Sequence, residues 1–273
     1  MKTDNTSFYI FSLFYARENW IDLIDQVNQY RWANQDKFSN CLFFLSEIKG
    51  EQVEVILVSM QNQVDLKQEI DDYFQEFLKK HASIINKSFP YGKALWCNYP
   101  NNSILWKRYK EALDFSDRGL HFHQKSFRLA LHLIESDISG DTLFSAVLYM
   151  TAKVLTCIDK KDLKAILSAA LHEVNTDPDN TGHIRYIQSL IEKQIDSQEM
   201  NATIDLYLNE EMSENSNELN EWLVDVREML DSSYSFSRLA RSVCRMLGFN
   251  GLYQMMLMEL LNAWYNTTQN ANA

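Results

Sequence analysis

The chain has 273 residues, 46% hydrophobic and 23% charged, a balance that supports a sizeable core and excludes bulk disorder. Its formal charge of −11, from 26 basic and 37 acidic side chains, opposes a broad nucleic-acid footprint, which needs a clustered basic face. With only 7 Gly and 3 Pro, long helices should outnumber tight hairpins, and neither usual glycine-rich phosphate cradle is present.

The first third reads as mixed α/β. Phe8-Tyr9-Ile10-Phe11-Ser12-Leu13-Phe14-Tyr15 is aromatic and β-rich, the pattern of a buried strand. Asn19 can cap a helix whose apolar positions Trp20, Ile21, Leu23, Ile24, Val27 and Tyr30 keep the 3.6-residue period. Residues 41–48 and 52–60 are strand-like runs joined by Lys49-Gly50-Glu51, a hairpin with Gly50 at the positive-φ position. Ile70, Tyr73, Phe74, Phe77 and Leu78 then form one helical stripe. The order β-α-β-β-α opens a ferredoxin-like arrangement.

A loop holding Pro90, Gly92 and Pro100 leads to helical patterns through about 103–114, 121–136, 141–158, 161–174, 182–197, 200–212, 217–231, 235–247 and 251–265. The last is apolar on nearly every side, which places it centrally in a core or in an interface such as that of a homodimer. The expected fold is α+β and helix-rich. A ferredoxin-like part over 1–88 carries an antiparallel-containing sheet, and a helical part over 89–273 packs with it as one unit. The acidic stretch 209–221 reads as a solvated loop or helix end.

Four cysteines, Cys41, Cys97, Cys157 and Cys244, are too far apart for C-x-x-C pairs. With a polar amino end and no apolar run of about 18 residues, they read as reduced thiols of a cytoplasmic protein that does not enter a membrane. His121 and His123 have no acidic or thiol cluster to complete a metal set, so no metal and no cofactor is expected.

Three strings resemble a known family. They are Phe43-Phe44-Leu45 before the hairpin; Lys107-Arg108-Tyr109 followed by Phe122-His123-Gln124-Lys125-Ser126; and Arg245-Met246-Leu247-Gly248-Phe249-Asn250 ending in Leu261-Asn262-Ala263-Trp264-Tyr265. In this order and spacing they resemble the thiopeptide-type bacteriocin biosynthesis domain, which also forms the carboxyl-terminal elimination part of class I lantibiotic dehydratases. The likeness spans roughly residues 7–265.

The resemblance implies maturation of a ribosomally made lanthipeptide or thiopeptide. The precursor peptide is the partner, a separate glutamylation enzyme acts alongside, and the chemistry is lyase-like elimination of glutamate from glutamylated Ser or Thr. The sequence departs from the family at named points. Val53-Glu54-Val55-Ile56-Leu57 replaces a His-Leu-Arg-x-Arg run, Lys110-Glu111 replaces Gly-Gly, Ser242 falls near the family's His, and Cys244 stands for an Asn. A non-catalytic subunit that binds precursor or partner enzyme is the alternative role.

Candidate residues follow from both lines of reasoning. Arg238, Arg241 and Arg245, spaced three and four apart, share one helix face able to clamp a carboxylate, or to pair with the chain's own excess acids. Arg245 is the catalytic candidate among them, with Arg108 and His123; Arg238, Arg241 and Tyr109 are the peptide- or carboxylate-binding candidates. His123 reads equally as a hydrogen-bonded structural histidine, and Tyr109 and Tyr234 as core or rim residues. The edge of 52–60 offers a place for a precursor peptide to add as a strand.

Overall fold

The computed structural model describes residues 6–59, 65–85, 98–107, 116–134, 138–177, 180, 182–194, 197–209, 217–231, 235–249 and 251–271. They form two compact units, Met1–Gln124 with Ser136–Ile138, and Lys125–Glu135 with Ser139–Ala273.

The first unit is built on four strands, β1 (Ser7–Phe14), β2 (Phe38–Ser46), β3 (Gln52–Ser59) and β4 (Ser103–Trp106), with helices α1 (Trp20–Ala33) and α2 (Leu66–Lys80). The strand order is β2-β3-β1-β4, antiparallel throughout, so the β-α-β-β-α opening is completed by a sixth element into the ferredoxin-like arrangement. That element departs from the sequence expectation. Residues 103–106 belong to the segment expected to be helical, yet they pair with β1 as Phe14↔Ser103, Leu13↔Ile104, Ser12↔Leu105 and Phe11↔Trp106.

The aromatic residues decide which face α1 and α2 cover. Phe11 of β1 lies against Phe74 of α2 with ring centroids 5.5 Å apart, and Tyr30 of α1 meets the same Phe74 at 5.3 Å. Strand alternation sends Ser12, and its register partner Glu54, to the opposite face. At the β2–β3 turn Lys49 and Gly50 have φ of 65° and 122°. A Cβ on Gly50 would sit 3.2 Å from Phe14 Cδ1, so both conformation and space call for glycine there.

Because β3 lies between β2 and β1, both sides of 52–59 are occupied within the sheet. The edge expected to receive a peptide strand is therefore interior. The outer strands are β2 and β4, and β2 is covered. The carbonyls of Ser39, Cys41 and Phe43, two apart along the strand, accept from Arg31 Nη2 (2.8 Å), Gln124 Nε2 (3.4 Å) and His123 Nε2 (2.9 Å). Gln124 and His123 come from the first half of α3 (Asp117–Ile134).

The second unit is helical among its described residues: the latter part of α3, then α4 (Gly140–Leu155), α5 (Leu163–Thr176), α6 (Ile184–Gln194), α7 (Ser197–Asn209), α8 (Asn217–Asp231), α9 (Phe236–Met246) and α10 (Gly251–Ala271). The all-round apolar α10 is central: it packs against α5, α6, α7 and α9, burying Met255, Leu257, Met258, Leu260 and Leu261. Its Trp264 donates from Nε1 to Asp205 Oδ1 on α7 at 2.8 Å. Elsewhere in this unit Trp222 of α8, fully buried, donates to Ser126 Oγ at 2.8 Å. No helix among the described residues is long and apolar enough to cross a membrane.

Candidate functional site

The arginine stripe lies on α9. Phe236, Leu239, Ala240, Val243, Cys244 and Met246 take the buried face, leaving Arg238 and Arg241 exposed and Arg245 half-buried. Ser235 caps the helix by accepting from Arg238 N at 3.1 Å. At the other end Gly248, with φ of 88°, lets Phe249 N reach Cys244 O (2.9 Å) and Gly248 N reach Arg245 O (3.2 Å). This is a Schellman motif. The family-like string beginning at Arg245 thus has a local structural role, closing α9, and Arg245 places its charge in the last turn where the helix dipole favours a cation.

Arg241 is engaged from two sides. Its Nε donates to Gln254 Oε1 of α10 at 3.2 Å, and its Nη2 lies 3.5 Å from Asp177 Oδ2 and 3.8 Å from Glu173 Oε1. Gln254, itself buried, passes the link to Ser237 O at 3.3 Å. The three arginines share a helix face as the spacing predicts, but Arg241 spends its charge on acids of the chain. These pairs are near half-exposed and weak, so a ligand carboxylate can compete for the guanidinium.

Beside this face a cavity of about 470 Å³ opens between the end of α4, α5, the end of α8 and the start of α9. Asp159, Asp162, Glu173 and Asp231 line it together with Cys157, and among the described residues no Lys or Arg does. Burial raises the Cys157 thiol above its ordinary value, against the lowering influence of Arg227 and Thr156. The thiol is therefore protonated at neutral pH and a poor nucleophile. Four carboxylates also make the cavity a poor place for a departing glutamate, because negative charge developing there meets a field of its own sign.

In the first unit His123 is 5% exposed, bonded through Nε2 to Phe43 O and laid on the Phe44 ring, with centroids 4.5 Å apart. A carbonyl only accepts, so Nε2 carries the proton. This places His123 in the edge-covering contact. His121, two positions earlier on the same helix, is exposed, and the pair does not converge. Arg108, Tyr109 and Tyr234 lie outside the described residues.

Two clusters have no counterpart among the sequence-derived candidates. Lys107 Nζ meets Glu54 Oε2 at 2.6 Å and Gln52 Oε1 at 3.2 Å across the sheet face that Ser12 shares. Alternation along β3 sets the side of Glu54, but its partner follows a strand whose sequence has a helical pattern. The cavity acids come from separated segments, with only Asp159 and Asp162 close in sequence. Among the described residues there is no group of three metal-ligating side chains.

The chain shares its fold with the pyridine synthase TbtD from thiomuracin biosynthesis, at a TM-score of 0.60 and 12% identity, covering 97% of this chain and 99% of that one. No family model and no curated protein matches the chain.

Proposed function

We propose that this protein acts in the maturation of a ribosomally made peptide natural product, of lanthipeptide or thiopeptide type, by binding a precursor peptide. The observation that carries this reading is the end-to-end likeness to TbtD, an enzyme from thiomuracin biosynthesis: both chains are covered almost completely, so the helical part is shared as well as the sheet. The order of the three family-like strings supports the same reading.

Within that role the geometry favours binding over elimination. His123, a catalytic candidate, has its Nε2 committed to the Phe43 carbonyl, while Arg241 faces Asp177 and Glu173 through weak pairs that a ligand carboxylate would have to displace. If glutamate is eliminated, Arg245 is the arginine of the stripe that holds the departing carboxylate. Loss of such a group costs on the order of a hundredfold in rate.

The deciding experiment incubates the protein with any short precursor peptide found encoded near its gene, in free and glutamylated forms, and follows binding by calorimetry and elimination by mass. Binding without mass loss is the expected result and excludes glutamate elimination, in keeping with a binding role. Mass loss that disappears in Arg245→Ala establishes the lyase instead. Absence of binding to either form removes the proposal.

A further inference from the structure

We propose that the cavity of the second unit receives a cationic side chain, a lysine ammonium or an arginine guanidinium, from a bound peptide. Charge gives the sign of the ligand. Four carboxylates line the cavity, and two of them have surface partners: Asp159 faces Lys161 at 3.4 Å and Glu173 faces Arg241 at 3.8 Å. Asp162 and Asp231 enter no ion pair among the described residues. The end of α8 adds to this field with the negative end of its dipole, whereas the last carbonyls of α4 already accept from the N–H groups of Thr156, Cys157 and Ile158. The opposing start of α9 has its first turn already capped by Ser235.

A second, independent feature points to a ligand. Ser237 lines the cavity and is 1% exposed, yet its Oγ has no hydrogen-bond partner among the described residues. Burying a hydroxyl unpaired costs free energy, and a bound N–H donor would recover it. The apolar contribution of Ile158, Ile166, Ala170 and Phe236 to the lining suits the methylene stem of a long basic side chain, whose charged head then reaches the carboxylates. An anion, by contrast, meets repulsion from the four lining carboxylates, which the Arg227 guanidinium beside Cys157 offsets only in part.

The source of the cation as a precursor peptide rests on the proposed function; the cavity's preference does not. The test titrates the whole protein by calorimetry with a short neutral peptide bearing one central lysine, with the same peptide carrying acetyl-lysine, and with spermidine. The lysine peptide should bind, the acetylated one at least about tenfold more weakly. Asp162→Asn with Asp231→Asn should cause a similar loss at an unchanged melting temperature, since neither carboxylate enters an ion pair among the described residues.

Equal binding of the two peptides, no binding of either, or an undiminished double variant overturns the inference. Binding of spermidine alone overturns the peptide source. A precursor that binds undiminished after its Lys and Arg are changed to Gln defeats this inference and leaves the proposed function standing. A lysine peptide that binds where the precursor does not supports the cationic cavity and removes the proposed function.

Discussion

His123 and Phe43, eighty positions apart, are joined by a 2.9 Å hydrogen bond from an imidazole to an edge-strand carbonyl. With Gln124 on Cys41 and Arg31 on Ser39, this bond occupies three of the outward carbonyls that an open β2 edge leaves available for aggregation. His123→Ala strips the buried Phe43 carbonyl of its donor and should lower stability by about 1–3 kcal/mol. It should also increase aggregation while leaving peptide affinity of the folded fraction unchanged. Urea denaturation, light scattering and calorimetry on one sample check all three. Lost affinity at full stability would return His123 to the functional site.

Ser126 and Trp222 make a comparable pair in the second unit. Both are buried, and the indole N–H has the Ser126 hydroxyl as its acceptor at 2.8 Å. Ser126→Ala leaves that N–H unsatisfied, at a cost of about 1–3 kcal/mol. Thermal denaturation should show the drop, and a Ser126→Ala, Trp222→Phe double variant should recover part of it by removing the orphaned donor.

Gly248 tests the role of the family-like string as a helix stop. At φ of 88° an alanine is strained by about 1–2 kcal/mol, so Gly248→Ala should lower stability by that amount. Arg245→Ala, which removes a cation from the last turn, should cost less, about 0.3–1 kcal/mol. Denaturant midpoints distinguish the two. An equal or reversed order would make Arg245 more than a helix-end charge.

Alkaline pH should weaken the fold by a calculable route. Burial pushes the Cys244 thiol from 9.0 up to about 12 and raises that of Cys41 as well. Tyr30, buried beside Glu69 and Tyr73, is pushed from 10.0 to about 12. The folded state then holds protons that the unfolded state releases. Stability is full below pH 9 and falls as pH rises toward 12, by about 1.4 kcal/mol per pH unit for each group titrating only when unfolded. Urea midpoints from pH 7 to 11 measure the slope, and Cys244→Ala should make it shallower.

Elements fixed by local pattern were legible in the sequence. The β1 run, the Gly50 turn, the amphipathic α9 and the all-round apolar α10 each follow from periodicity or from one backbone requirement. Elements fixed by distant partners were not. Ile104, Leu105 and Trp106 continue into apolar positions at helical spacing, and only pairing with β1 makes them a strand. The same division runs through the site. The shared face of Arg238, Arg241 and Arg245 is a matter of spacing, whereas Asp177 and Glu173 as partners of Arg241 are a matter of packing. The cavity, assembled from the ends of α4 and α8, the length of α5 and the start of α9, has no linear signature.

The proposed binding of a ribosomal precursor peptide is checked by a calorimetric titration of the whole protein with any short precursor peptide encoded near its gene. Saturable binding at low-micromolar strength or better is the expected result, insensitive to His123→Ala and accompanied by no binding of tRNA at physiological salt. No heat of binding from the precursor, or tight binding of tRNA in its place, would contradict it.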